Sequence, residues 1–170
     1  MDVALARLSG LCERPASTCV CTGLRRASRA TSRLYESALA PLDLTATQFA
    51  ILVAVQLRGP VPLSRLAHAL VLDRTSLYRA VKPLERRGCL RIVPGRTLRE
   101  RVATLTAKGR GLLARALSIW ERVQERLVDA LGADTWATLA AALGRVVPTV
   151  RAIESGESAT AARRRRTAPR

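Results

Sequence analysis

Aromatic residues are scarce in this sequence, at 3% of 170 residues, although apolar residues make up 48%. Any core must therefore come mainly from leucine, valine, alanine and isoleucine, which favours a helical protein. The length fits one domain, or one small module with additional helices.

Histidine is nearly absent, since His68 is the single example. The sequence also lacks a phosphate-cradling glycine loop, a paired-carboxylate site and a nucleophile beside a base, which argues against an enzyme. Among enzymes, the alternative that the residues favour most is a thiol peroxidase that uses Cys19 and Cys21. A metal site would need Cys12 together with these two cysteines, at a spacing that no zinc motif shows. We expect no cofactor and no metal.

Long apolar runs are missing as well. No stretch approaches the roughly 20 residues of a membrane span, and the N-terminus lacks the basic-then-apolar order of a secretion signal. These absences predict a cytoplasmic protein with no membrane partner. In a reducing compartment its four cysteines are expected to be free thiols, redox sensors or ligands rather than a disulfide framework.

Positive charge, by contrast, is abundant, with a formal net charge of +16. A chain this basic seeks phosphate or anionic lipid, and nucleic acid is the leading partner.

Helical periodicity follows an N-terminal arm (residues 1–16) and predicts a first helix from Thr18 to Leu39. Thr45 and Gln48 form a capping box that opens a second helix, which ends at the Arg58-Gly59-Pro60 step. A short third helix follows (residues 63–70).

Asp73 is placed to cap a fourth helix from Arg74 to about Arg87, and Gly88 stops it. Two stretches rich in β-formers (residues 89–93 and 101–105) then flank a basic tip (residues 94–99), as in a β-hairpin.

Two more helices complete the pattern. Thr106 caps a long one that ends at Gly132, and the last begins near Asp134 and kinks or ends near Pro148. The segment 154–170, which contains four consecutive arginines (residues 163–166), is expected to be a disordered basic tail.

This order predicts a mainly α fold with a small β-hairpin wing (α+β), in which residues 42–105 form a winged helix-turn-helix. The fourth helix would be the recognition helix in the major groove of double-stranded DNA. We expect Thr75, Ser76 and Arg79 to contact bases, and Arg74, Tyr78 and Lys82 to be divided between bases and phosphates. From the hairpin we add Arg96, Arg99 and Arg101, with a wing arginine in the minor groove.

Between residues 74 and 101 nine basic residues face only two acids, Glu85 and Glu100. A single arginine there has an alternative interpretation as a solvated surface charge. The whole cluster indicates a phosphate-binding surface.

Three stretches resemble the MarR family of transcriptional regulators: Leu72 to Leu77 with Leu84 to Gly88, Arg99 to Gly109, and Tyr35 to Leu42 with the Leu44-Thr45 and Gln48-Phe49 steps. The resemblance implies one MarR-like domain (residues 17–153) in each subunit of a dimer, with dimerisation helices at about 17–40 and 106–153. It also implies repression that is relieved by a small molecule or an oxidant.

Two positions depart from the family pattern. Thr97 stands where the wing usually carries an Asp, so the pair that orients the wing arginine is absent and Arg99 is expected to be held less firmly. Pro83 lies inside the recognition helix, where it removes an amide and is expected to bend or loosen the helix.

The first and last helices carry more apolar surface than a small winged domain can cover. We therefore expect a homodimer on a pseudo-palindromic operator, because two-fold association places two recognition helices one DNA turn apart. In the alternative, these helices pack back on their own subunit.

Cys19 and Cys21 lie at the start of the first helix, where the helix dipole lowers a thiol pKa. By resemblance to the hydroperoxide-sensing branch of the family, Cys21 takes the position of the reactive cysteine and Tyr35 that of its hydrogen-bonding tyrosine. Arg25 and Ala46 replace two further tyrosines of that branch. The alternative for Cys21 is a small hydrophobe at a dimer interface.

A nonspecific nucleic-acid-binding winged module is the other alternative. Readers of single-stranded RNA present stacking aromatics, and beyond Tyr78 the basic region has none. The arginine tail could add nonspecific affinity in either case.

Overall fold

The structure, a computed structural model, describes residues 11–13, 17–97 and 100–156. The chain forms two compact units, one that ends at Val123 and one that begins at Gln124. The helices are α1 (Val20–Leu39), α2 (Ala46–Arg58), α3 (Leu63–Leu70), α4 (Arg74–Arg86), α5 (Ala107–Leu131) and α6 (Ala133–Glu154), and the strands are β1 (Val61–Pro62), β2 (Leu90–Pro94) and β3 (Arg101–Leu105). The predicted fold class, mainly α with a small β-hairpin, is confirmed.

Local capping sets the start of α2, as predicted. The Thr45 hydroxyl accepts the N–H of Gln48 at 3.1 Å, and the Gln48 side chain accepts the N–H of Thr45 at 3.0 Å. The helix ends at Arg58, where Gly59 takes a positive φ of 66° that side chains rarely adopt. Amides at the start of a helix have no partner within the helix, so hydrogen bonds of this kind stabilise the helix end.

The fourth helix also follows its predicted signals. Asp73 caps its N-terminus, and Gly88 follows its C-terminus with a φ of 69°. The helix continues through Pro83 to Arg86, although this proline has no amide to donate to the carbonyl of Arg79.

The sheet contains a strand that was not predicted from the sequence. Its order is β1-β3-β2, with both pairs antiparallel, and Val61 lies opposite Ala103. In the hairpin, Leu90 pairs with Leu105 and Pro94 with Arg101. The wing is therefore the outer part of a three-stranded sheet that begins immediately before α3.

The core of the first unit joins all of its layers. Leu77, Val81 and Leu84, on the inner face of α4, are almost fully buried, as predicted, and Ala103 of the sheet is buried with them. From the other helices the core takes Leu39, Ile51, Leu52, Val55, Leu66 and Leu113. Burial of each large aliphatic side chain stabilises the fold by about 1.5–3 kcal/mol. The outer face of α4 is thereby held towards solvent.

The last helix has no buried residue along its length. It passes through Pro148 and ends at Glu154, so of the two predicted alternatives, a kink or a helix end near Pro148, the helix end was wrong. Leu139, Leu143 and Val147 are each more than a third exposed, at the spacing of one helical face.

Candidate nucleic-acid interface

The first turn of α4 is organised by Asp73. One carboxylate oxygen accepts the N–H of Ser76 at 2.8 Å, and the other accepts the Ser76 hydroxyl at 2.6 Å. The Ser76 hydroxyl and then its N–H lower the pKa of Asp73 below its usual value. Since the Ser76 hydroxyl donates a hydrogen bond to Asp73, Ser76 can present only acceptor lone pairs to an incoming group.

Exposed basic and polar side chains follow on the outer face of α4. Arg74, Thr75, Arg79 and Lys82 are exposed, and Ser76 is half-buried. The guanidinium of Arg74 lies 5.6 Å from the centre of the Tyr78 ring, and this ring is 38% exposed. The cation–π contact holds Arg74 against the helix surface.

Three elements form a groove of about 610 Å³ beside this face. Arg74 and Tyr78 line it from α4, Ser64 from α3, and Glu100 and Arg101 from the start of β3. The structure therefore brings Arg101 together with two of the predicted recognition-helix residues. Ser64, which lies in the first turn of α3, was not predicted from the sequence.

Three more of the predicted residues, Thr75, Arg79 and Lys82, line two smaller concavities. Thr75 and Arg79 line one with Arg74 and Tyr78, and Lys82 lines another with Tyr78, Val81, Glu85 and Ile92 of the wing.

The wing turn is closed by backbone bonds between Gly95 and Glu100 at 2.9 Å and between Glu100 and Thr97 at 3.0 Å. Arg96 is exposed on this turn, and its N–H donates to the Glu100 carboxylate at 2.7 Å. The predicted wing residue Arg99 lies outside the described residues. The predicted basic tail lies outside them from residue 157 onwards, whereas Glu154, its first predicted residue, is the last residue of α6.

One of the nine basic residues between positions 74 and 101 serves the fold. Arg87 donates from Nη2 to the Leu42 carbonyl at 2.8 Å and from Nη1 to the Asp43 carbonyl, and Nη1 lies 3.4 Å from the Asp43 carboxylate. These bonds leave Arg87 only partly exposed. No signal in the sequence indicates them, because the partners lie more than 40 residues upstream.

The predicted redox residues lie on α1 or immediately before it. Cys19 immediately precedes α1 and is half-buried, and Cys21 is exposed in its first turn. The Thr22 hydroxyl and then its N–H lower the pKa of the Cys19 thiol, although Cys19 makes no side-chain capping bond. Burial raises the pKa of Tyr35. Because 14 residues of helix separate Cys21 from Tyr35 by about 21 Å, a bond between them needs a second copy of the chain.

A second cavity, of about 590 Å³, lies between α1, α2 and α5. Its walls are almost entirely apolar and include Phe49 and Trp120, which stack with ring centres 6.5 Å apart. Arg58 and Tyr35 also line it. Its size suits a drug-sized molecule.

Metal-ligating side chains are not clustered in the described part of the chain. Within residues 11–13, 17–97 and 100–156, no group of three or more His, Cys, Asp and Glu side chains could hold a metal ion. None of the described helices could cross a membrane alone, and only α1 and α2 taken together reach the required length and composition, with a bend of 76° between them.

A capped helix with an exposed polar face, packed between a preceding short helix and a basic hairpin, defines a winged helix-turn-helix protein. A sequence model described as the MarR family matches residues 44–92. A comparison with curated proteins gave no match.

Solved structures match over most of the chain. The Mycobacterium tuberculosis transcriptional regulator MosR, solved with DNA, is 32% identical, with a TM-score of 0.72 over 79% of this chain and 98% of that one. The transcriptional repressor CouR, bound to a 23-mer DNA duplex, is 27% identical, with a TM-score of 0.71 over 78% and 95%. A mutant of Escherichia coli MarR, 24% identical, shares the fold with a TM-score of 0.71 over 80% and 99%. The chain therefore belongs to the MarR family of transcriptional regulators.

Proposed function

We propose that this regulator is a homodimer that binds a pseudo-palindromic operator in double-stranded DNA and represses transcription until a signal releases it. The observation that carries the proposal is the exposed N-terminal half of α4, with Arg74, Thr75 and Arg79 on its surface, beside Arg101 of the wing. The DNA-bound structures of MosR and the repressor CouR support it. We assign the chain no catalytic role and place it in the cytoplasm, where its operator would be.

The residues of α4 divide between two roles. Thr75, Ser76 and Arg79 contact base edges in the major groove, because residues in the first turns of a recognition helix reach deepest. Ser76 serves as an acceptor there, since its hydroxyl hydrogen is donated to the Asp73 carboxylate. Arg74, Tyr78 and Lys82 are divided between bases and phosphates, and Arg96, Arg99 and Arg101 of the wing contact the backbone and minor groove.

The dimer follows from the exposed apolar face of α6. Leu139, Leu143 and Val147 lie on it, and Val150 and Ile153 extend it at 47% and 61% exposure. A row of aliphatic side chains that spans several helical turns is stabilised when a second copy covers it.

The cavity between α1, α2 and α5 is the site that we propose for a small-molecule signal. Its apolar walls and the Arg58 side chain suit a ligand with an apolar body and one anionic group. Leu70, the last residue of α3, also lines it, so a bound molecule would contact both α1 and the helix-turn-helix. If the molecule binds more tightly to an arrangement of these helices that does not bind DNA than to one that does, its binding would release the DNA.

An oxidant is the second candidate signal, and the pKa of Cys19, lowered by Thr22, favours it. Cys21 is the neighbouring exposed thiol, and Tyr35 of a second copy could reach it. In this proposal peroxide oxidises one thiolate to a sulfenic acid and is itself reduced to water. Loss of operator binding after mild peroxide treatment, prevented by replacement of the reactive cysteine with serine, would support it.

The decisive experiment selects duplexes from a random pool with the purified full chain at about 150 mM salt. We expect a palindromic sequence, and about 1–3 kcal/mol weaker binding to it after Arg79→Ala. Arg115→Ala, which removes an exposed arginine from α5, is the matched control for charge. Displacement of the selected duplex by an equal amount of bulk DNA would favour the nonspecific module instead.

A further inference from the structure

We infer that Glu100 is the positioning residue of the wing. The Glu100 carboxylate holds the turn that carries Arg96, and this strengthens binding to a polyanion. The inference rests on the proposed function, because the wing turn affects affinity only if the chain binds DNA.

Glu100 bonds to the turn with both its backbone and its side chain. Its carbonyl accepts the N–H of Gly95, and its own N–H donates to the carbonyl of Thr97. Its carboxylate accepts the N–H of Arg96 at 2.7 Å. A charge-assisted bond of this kind is stronger than the neutral bonds that close most turns.

Gly95 provides the space that the Glu100 side chain occupies. A Cβ at position 95 would lie 2.6 Å from Cγ and 2.7 Å from Cδ of Glu100, which is far inside van der Waals contact. Any side chain at position 95 would therefore push the carboxylate away from the N–H of Arg96. The position of the Glu100 carboxylate therefore depends on glycine at position 95.

A positioning role and simple electrostatics predict opposite effects of removing Glu100 on DNA affinity. Glu100 lines the same groove as Arg74 and Arg101, so its negative charge opposes an approaching phosphate. If charge were its whole contribution, removal of Glu100 would tighten DNA binding. If it positions the wing, its removal weakens binding even though the net positive charge increases.

Two substitutions separate these effects. Glu100→Gln and Glu100→Ala remove the same charge, but glutamine keeps an oxygen that can accept the N–H of Arg96. We expect Glu100→Gln to bind the selected duplex at least as tightly as the wild type. We expect Glu100→Ala to bind about 5- to 10-fold more weakly than Glu100→Gln, with a salt dependence smaller by about one phosphate contact.

Gly95→Ala tests the same arrangement from the other side. In the wild-type background it should weaken binding about as much as Glu100→Ala, and in the Glu100→Ala background it should add almost nothing. Glu121→Ala, which removes an exposed acid from α5, is the control and should not weaken binding. Equal or tighter binding by Glu100→Ala than by Glu100→Gln would overturn the inference.

A second measurement does not depend on DNA. Hydrogen exchange of the Arg96 amide should be about 10-fold faster in Glu100→Ala than in Glu100→Gln, because only the latter keeps the bond. Equal rates would overturn the positioning role. If the wild type selects no duplex, the proposed function fails, and the exchange rates still decide whether Glu100 holds the turn.

Discussion

Arg87, directly after α4, is hydrogen-bonded to Asp43, in the corner that follows α1. Its guanidinium donates to the Asp43 carbonyl and lies 3.4 Å from the Asp43 carboxylate, and it also donates to the carbonyl of Leu42. Asp43 has a φ of 51°, in the left-handed region. The end of α4 is therefore tied to the point where α1 meets the winged domain.

Arg87→Ala should lower the free energy of unfolding by about 1–2 kcal/mol, because two backbone carbonyls lose a charged donor. Urea unfolding of the full chain measures this loss. Arg86→Ala, at the exposed neighbouring position, is the control and should change stability by less than about 0.5 kcal/mol. Asp43→Asn should also have a small effect, since this carboxylate is 93% exposed and the carbonyl remains. Similar losses for Arg86 and Arg87 would contradict the bonding.

The Asp73 cap should make stability depend on acid. Its pKa is lower in the folded chain than its ordinary value of about 3.9, so the ionised cap stabilises the fold above that value. This contribution is lost as the pH falls through the folded-state pKa.

At pH 7 Asp73→Ala should therefore lower Tm by a few degrees, and Asp73→Asn by less, because asparagine also caps helices. Thermal melts between pH 7 and pH 2 should show the gap between wild type and Asp73→Ala closing in acid. A gap that stays constant over this range would argue against an ionised cap.

Leu143→Glu should dissociate the dimer, because it places a charge in the middle of the apolar face of α6. Light scattering should give twice 18.4 kDa for the wild type and 18.4 kDa for the variant. Ala141→Glu adds the same charge about 160° around the helix and should leave the dimer intact. A monomeric wild type at micromolar concentration would refute the assembly itself.

The cavity beside Trp120 should bind 8-anilinonaphthalene-1-sulfonate, which has an apolar body and one anionic group. Arg58→Gln should weaken this probe several-fold and leave its neutral analogue, N-phenyl-1-naphthylamine, unaffected. Ala50→Phe, on the wall of the cavity, should reduce binding of both probes by filling the space. Probe fluorescence is the readout, with melts to verify folding, and undiminished binding of both probes to Ala50→Phe would place them elsewhere.

Cys19 should react with iodoacetamide faster than the exposed Cys12 at neutral pH, because Thr22 stabilises its thiolate. Mass spectrometry of labelled peptides gives both rates in one sample. Thr22→Val removes the hydroxyl at nearly constant size and should slow Cys19 alone. If that substitution leaves the Cys19 rate unchanged, Thr22 does not activate the thiol.

Local signals in the sequence predicted most of the first unit. Thr45 with Gln48, Asp73 and Gly88 each mark a helix end through bonds or dihedral angles within four residues, so the residue types alone were sufficient. The β1 strand was missed because it has two residues, one of them a proline, and its partner in β3 lies about 40 residues downstream.

The site was predicted in part for the same reason. The surface residues of α4 follow from helical periodicity once Leu77, Val81 and Leu84 are assigned to the core. A count of charges assigns no particular role to Arg87 or Glu100, because the roles of these two residues depend on contacts that residue types do not reveal. The position of Arg101 beside Arg74 likewise depends on the sheet.

The two-residue strand β1 connects directly to α3, which starts at the next residue, Leu63. Because β1 pairs with β3, the strand that leads out of the wing, the sheet connects the hairpin to the start of α3. A duplex that displaces the wing would therefore also displace the helix-turn-helix. The torsional stiffness of the operator would then affect how tightly the protein binds it.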